Sequence, residues 1–130
     1  MLTPPQRKPD AAPSSAPPRF RWWTSRRVIV RDESMRPTLR PGDRLLVDRR
    51  AYRTRPPAVG EIVVAVDPEV PNRWLVKRVA GVDPEGRSIE LRGDAVDVAR
   101  DSRRFGPVPI DSVVGRVYRC YFPPERRREF

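Results

Sequence analysis

Residues 61–92 read EIVVAVDPEVPNRWLVKRVAGVDPEGRSIELR, and this stretch decides the fold. Three runs rich in Val, Ile and Leu, at Glu61–Val66, Trp74–Val82 and Ser88–Arg92, are cut by Asp67-Pro68 and by Asp83-Pro84-Glu85-Gly86. Short β-branched runs bounded by such breakers read as strands, because Pro and Gly punctuate a ladder and Asp favours the turn. Outward from this centre the same alternation continues. Arg27–Arg31 and Arg44–Asp48 precede it and Ser112–Tyr118 follows, with breaks at Pro41-Gly42-Asp43, Pro56-Pro57 and Gly93-Asp94. The expected fold is mostly β, a sandwich or barrel-like domain of short antiparallel strands. Helix is limited to about a turn after Ser34, since Pro37 and Pro41 interrupt it.

The ends differ from this middle. Pro4, Pro5, Pro9, Pro13, Pro17 and Pro18 lie among small and polar residues, so residues 1–25 are expected to be a disordered Pro/Arg-rich tail. Residues 26–122 form the domain, and residues 123–130 a charged C-terminal tail in which Glu125–Phe130 is frayed. At 130 residues the chain is long enough for one domain. Within the N-terminal segment Trp22 and Trp23, flanked by arginines, offer a peripheral membrane contact or a grip on a partner protein. The plainer reading, that one Trp caps the edge of the core, is preferred.

Net charge +10 and a pI near 11.2 favour acidic partners in principle. The arginines are scattered among 17 Asp and Glu, which makes a solvated surface, and no basic helix or aromatic platform points to nucleic acid. One cysteine, Cys120, excludes an internal disulfide, and with no histidine it excludes the usual zinc sites; no metal or cofactor is expected. Apolar runs such as Ile62–Val66 fall far short of the roughly 18–20 residues that cross a bilayer, and no apolar leader precedes the domain. The expectation is a cytoplasmic chain without a transmembrane anchor.

The distribution of basic residues carries the chemical signal. Of 27 basic residues all but Lys8 and Lys77 are arginine. Arginine does not give up its proton at any useful pH, whereas a buried lysine does. In Trp74-Leu-Val-Lys-Arg-Val-Ala80, alternate residues share a face, so Lys77 lies with Leu75 and Val79. Burial there disfavours the ammonium and yields the free amine that a general base needs. With no imidazole in the chain, a serine nucleophile has only such a lysine to activate it. Ser34 follows the strand Arg27–Arg31 and precedes a stiff Pro37-Thr38-Leu39, a junction that exposes a hydroxyl on a fixed backbone. Taken alone, a serine before a turn is more often a cap, and a strand lysine more often snorkels. Met35 is a candidate for the wall of a substrate groove, and equally a core methionine.

These residues carry a resemblance. Ser34-Met35-Arg36-Pro37-Thr38-Leu39 and Pro41-Gly42-Asp43-Arg44-Leu45-Leu46-Val47 resemble the nucleophile segment of signal peptidase I-type serine proteases. Val76-Lys77-Arg78-Val79-Ala80-Gly81 is similar to their general-base strand. Gly93-Asp94, Asp101-Ser102-Arg103-Arg104-Phe105-Gly106-Pro107-Val108 and Val114-Gly115-Arg116-Val117 resemble their C-terminal box. The resemblance implies a Ser34–Lys77 dyad, no cofactor, and structural support of the base strand by Asp94, Asp101 and Arg103. It implies a precursor protein as substrate. A small member without an anchor is most similar to the nickel-type superoxide dismutase maturation proteases, which remove an N-terminal pro-segment.

Three departures from the family pattern stand out. The membrane anchor is missing, Asp32 replaces a hydroxyl residue two positions before the nucleophile, and Ala99 takes the place of a serine that bonds the base. An ionised carboxylate cannot donate a hydrogen bond to an oxyanion. Two alternatives follow: the same protease held at a membrane surface by Trp22 and Trp23, or a catalytically inactive binding module. A self-cleaving repressor is excluded, because its Ala-Gly pair would have to precede the serine, and Ala80-Gly81 follows Lys77.

Overall fold

Every strand expected in the middle of the chain forms, and Asp, Pro and Gly end them where the sequence places those residues. The computed structural model describes residues 2–3, 25–97 and 100–130. Among these, the strands are β1 (Leu2–Thr3), β2 (Ser25–Val30), β3 (Arg44–Asp48), β4 (Ile62–Val66), β5 (Trp74–Val82), β6 (Ser88–Arg92), β7 (Val108–Pro109), β8 (Val113–Phe122) and β9 (Arg128–Glu129). One short helix, α1 (Ser102–Phe105), precedes β7. The mostly β, antiparallel class is what the alternation predicts. Trp22, Trp23 and Ala99, and most of the N-terminal segment, lie outside the described residues.

The sheet runs β1-β2-β3-β8-β4-β5-β6-β7, and β1 also pairs with β5. Six strands therefore close into a ring, with β6 and β7 continuing beyond β5 and β9 added to β8. Closure removes sheet edges, which would otherwise present unpaired N–H and C=O groups. The register puts Val63 opposite Lys77 and Val64 opposite Val76 between β4 and β5.

Two apolar clusters flank the central strands. Val28, Val30, Met35, Leu39, Leu45, Val47, Ile62, Val64, Val76 and Val117 belong to the first, with Leu2 and Cys120. Val63, Ala65, Val79, Ile89, Leu91 and Val108 form the second. Strand β4 contributes alternate residues to each and is buried on both faces, which is why its sequence is a continuous apolar run. Each fully buried Val or Leu contributes about 1.5–3 kcal/mol. Where β8 passes β3 there is room only for glycine: a Cβ on Gly115 would sit 2.3 Å from the Asp48 carbonyl oxygen.

The C-terminus departs from the expected frayed tail. A 3-10 turn at Pro124–Arg126 leads into β9, and Phe130 packs against the first cluster. Arg126 supplies the reason, since its guanidinium meets the buried Asp43 at 2.8 and 2.9 Å, and a buried carboxylate requires such a partner. Strands β1 and β7, two residues each, are too short to show a period-2 pattern and escape sequence reading.

Candidate active site

The segment after β2 turns back on itself. Val30 N–H donates to the Asp43 carbonyl at 2.9 Å and Gly42 N–H to the Val30 carbonyl at 2.8 Å, closing the loop that holds Ser34. Beneath it Met35 and Leu39 are completely buried, and Leu39 N–H donates to the Met35 carbonyl at 3.0 Å. Asp43 also accepts the Arg40 N–H, and Arg126 donates to the Thr38 carbonyl at 3.2 Å. Ser34 is thus carried on a turn anchored from the core side and from the C-terminal segment. It is 4% exposed.

Lys77 is 2% exposed in β5, on the face it shares with buried Leu75 and Val79. Burial lowers its pKa from 10.5, partly countered by the negative charges of Asp32 and Asp101; Arg100 and Arg103 push the same way as burial. A lysine in this setting gives up its proton more readily than one in water.

Asp32 contacts Ser34 directly and acts on Lys77 through its charge. Its Oδ1 accepts the Ser34 hydroxyl at 2.9 Å and the Ser34 backbone N–H at 3.2 Å, while its charge acts on Lys77. Burial raises the pKa of this carboxyl, but hydrogen bonds to it, those from Ser34 among them, outweigh burial and leave it lowered. The ionised carboxylate therefore occupies the very N–H that could otherwise steady an oxyanion.

Asp94 links the serine turn to the base strand. It accepts Arg78 Nε at 2.9 Å and Nη2 at 2.7 Å from β5, and the Thr38 hydroxyl at 2.6 Å from the turn. Next to it Ala95 N–H donates to the Ser34 carbonyl at 2.9 Å. Asp101 caps α1 and is 1% exposed. It accepts from Gly93 N–H at 2.9 Å and from Arg103 through its backbone and guanidinium. Burial would raise its pKa, yet these bonds hold it at about 2. Asp101 and Arg103 thus fix the loop that presents Asp94. Met35 lies wholly inside the first cluster, so a substrate contact there would require that packing to open.

Sequence reading overlooks Thr38, Arg78, Arg126 and Arg100. Arg100 pairs with Asp67, which is completely buried, and with Glu69. Each of these contacts joins residues distant in sequence, and an arginine-rich chain gives no local sign of which arginine is spoken for. Among the described residues no group of acidic or cysteine side chains is placed to hold a metal ion.

Comparison with known proteins adds the family. The pattern of signal peptidase, peptidase S26, matches residues 19–100. The chain is 39% identical over 106 residues to the mitochondrial ATP-independent inner membrane protease subunit 1b of Arabidopsis thaliana, covering 65% of this chain and 62% of that protein. It is 32% identical to the mitochondrial inner membrane protease subunit 1 of Xenopus tropicalis, over 75% of this chain and 70% of that one. A probable signal peptidase I-1 of Synechocystis is 40% identical over 82% of this chain and 76% of its own length. The expected cytoplasmic location does not stand, since several relatives are named for the mitochondrial inner membrane. That expectation rested on the lack of a long apolar run, which bears only on spanning helices; among the described residues no helix is long and apolar enough to cross a membrane. On the span of the match and the identities to these relatives, the chain belongs to the signal peptidase, peptidase S26, family.

Proposed function

We propose that the chain is a serine endopeptidase in which Ser34 is the nucleophile and Lys77 the general base, removing an N-terminal segment from a precursor protein. The observation that carries this reading is Lys77: a lysine 2% exposed on an apolar strand face, its pKa lowered chiefly by burial, in a chain whose surface basic residues are almost all arginine. Ser34 Oγ attacks the scissile carbonyl carbon as Lys77 Nζ takes its proton. The tetrahedral intermediate then expels the amine, which receives that proton from Lys77 and leaves an ester on Ser34; water, giving a proton to Lys77, attacks the ester, and the acid departs as Ser34 Oγ takes that proton back. Asp94, Asp101 and Arg103 act as supports of this arrangement, through Arg78, Thr38 and the loop at Gly93.

The finer substrate, a nickel superoxide dismutase precursor, rests on the resemblance in the sequence; the relatives above carry other names. The test therefore offers two precursors, that one and a precursor bearing a conventional signal peptide, to the wild-type chain, Ser34→Ala and Lys77→Arg, with N-terminal sequencing of the products. A new amino terminus from wild type alone supports the dyad, and the precursor that yields it identifies the substrate class. Cleavage that persists in both variants overturns the dyad.

A second reading, the same protease working at a membrane surface, draws on the membrane proteases among its relatives. Co-sedimentation with anionic vesicles decides it, and a chain left wholly in the supernatant would remove that reading.

A further inference from the structure

Strand β1 is two residues long, yet it pairs on both of its edges. Leu2 lies opposite Val30 and Thr3 opposite Ile29 in β2, while Leu2 also lies opposite Trp74 in β5. These are the strand that leads to Ser34 and the strand that carries Lys77. Passing from Thr3 to Leu2 advances from Ile29 to Val30, toward the serine, and arrives on β5 at Trp74, three residues along the strand from Lys77. The Leu2 side chain is 4% exposed and belongs to the interior cluster with Val28, Val30 and Met35.

An extended peptide lying between β2 and β5 would seek the same N–H and C=O groups, because strand addition is how a sheet edge receives a peptide. The two flanking strands have firmer partners elsewhere. The ladders β2–β3 and β4–β5 each run the length of a full strand, whereas β1 contributes one or two positions to each edge. A strand that pairs at only one or two positions on each edge is the displaceable stave of the ring. Asp32 repeats the theme, since its carboxylate occupies the Ser34 N–H and hydroxyl.

We propose that β1 is a built-in competitor of the substrate: it fills the slot between β2 and β5, and a peptide with an apolar residue in the place of Leu2 must displace it. This rests on the protease reading of the Ser34–Lys77 site for its consequence, but the occupancy of the slot does not depend on cleavage.

The test uses full-length chains in two arms. In the first, a labelled hexapeptide with the sequence of residues 1–6, Met-Leu-Thr-Pro-Pro-Gln, is titrated into Ser34→Ala and into Ser34→Ala with Leu2→Asp, followed by fluorescence anisotropy. Vacating the slot should tighten binding about tenfold, the factor set by the contact of one buried leucine. Leu2→Val, which keeps the apolar contact, should bind as weakly as the parent. In the second arm, cleavage of a precursor by Leu2→Asp should show KM lowered about tenfold with kcat little changed. Equal or weaker hexapeptide binding by a folded Leu2→Asp chain overturns the proposal, and so does loss of cooperative thermal unfolding in that variant, which would make β1 a structural stave. Tighter binding without any cleavage by wild type would retain the slot and defeat the protease reading; cleavage with unchanged binding would do the reverse.

Discussion

A single carboxylate oxygen of Asp32 accepts both the hydroxyl and the N–H of Ser34, two donors that the proposed reaction would need elsewhere once a substrate arrives. Replacing Asp32 by serine frees the N–H and returns a hydroxyl donor. Loss of one oxyanion donor typically costs about a hundred- to a thousandfold in rate, so Asp32→Ser should raise kcat by at least about tenfold in a steady-state assay. A kcat that falls would show that the carboxylate aids the reaction. Lys77 gives the pH dependence. Its folded pKa lies below 10.5, so activity should climb with pH, with a midpoint below 10.5, and Lys77→Arg should lose activity at every pH. The same shift acts on stability. Between the lowered folded value and 10.5 the unfolded chain holds the proton that the folded chain has released, and stability from this group rises with pH across that window. Asp101 has the same sign at the acid end of the scale. Its contribution, about 2 kcal/mol, is fully present above 3.8 and lost as pH falls through about 2, so Asp101→Asn should flatten the acid limb of a stability profile. The burial of Lys77 was legible in the sequence, since arginine bias made that lysine conspicuous. That Asp32 would turn its oxygen onto Ser34 was not, because a side chain's hydrogen-bond partner depends on the loop's final path.

Strand boundaries in this chain follow from local chemistry, and β3, β5 and β6 match their sequence-predicted limits residue for residue. What local chemistry omits is the distance between strands. Gly115 belongs to a run that reads as ordinary strand, yet its Cα faces the Asp48 carbonyl so closely that any Cβ collides with main chain. Gly115→Ala should cost about 1–3 kcal/mol in a denaturant titration, and an unchanged midpoint would show that β3 and β8 separate freely. Asp94 works at the same scale, tying the turn at Thr38 to β5 at Arg78. Asp94→Ala leaves Arg78 without its charged partner; it should lower kcat more than it raises KM, because the serine and the lysine ride on different elements.

The described residues form a ring of strands closed by β1 between β2 and β5, and the C-terminal segment returns to it through Arg126 and Asp43. Removing that guanidinium leaves a buried carboxylate unpaired. Arg126→Ala should therefore destabilise the chain by about 3–5 kcal/mol in chemical unfolding, far beyond an exposed ion pair such as Arg87–Glu85. Sequence alone determined the longer strands, their turns and the mostly β class, and it put forward Ser34 and Lys77 as candidates, because hydrophobic period, Pro and Gly placement and residue identity are local properties. Tertiary structure alone decided the closure of the ring, the burial of Asp43 and Asp67 against distant arginines, the capture of Ser34 by Asp32, and the seating of a two-residue strand beside the proposed site. Those depend on which surfaces meet after collapse, and in a chain with arginine at almost every basic position, only the meeting itself selects the partners.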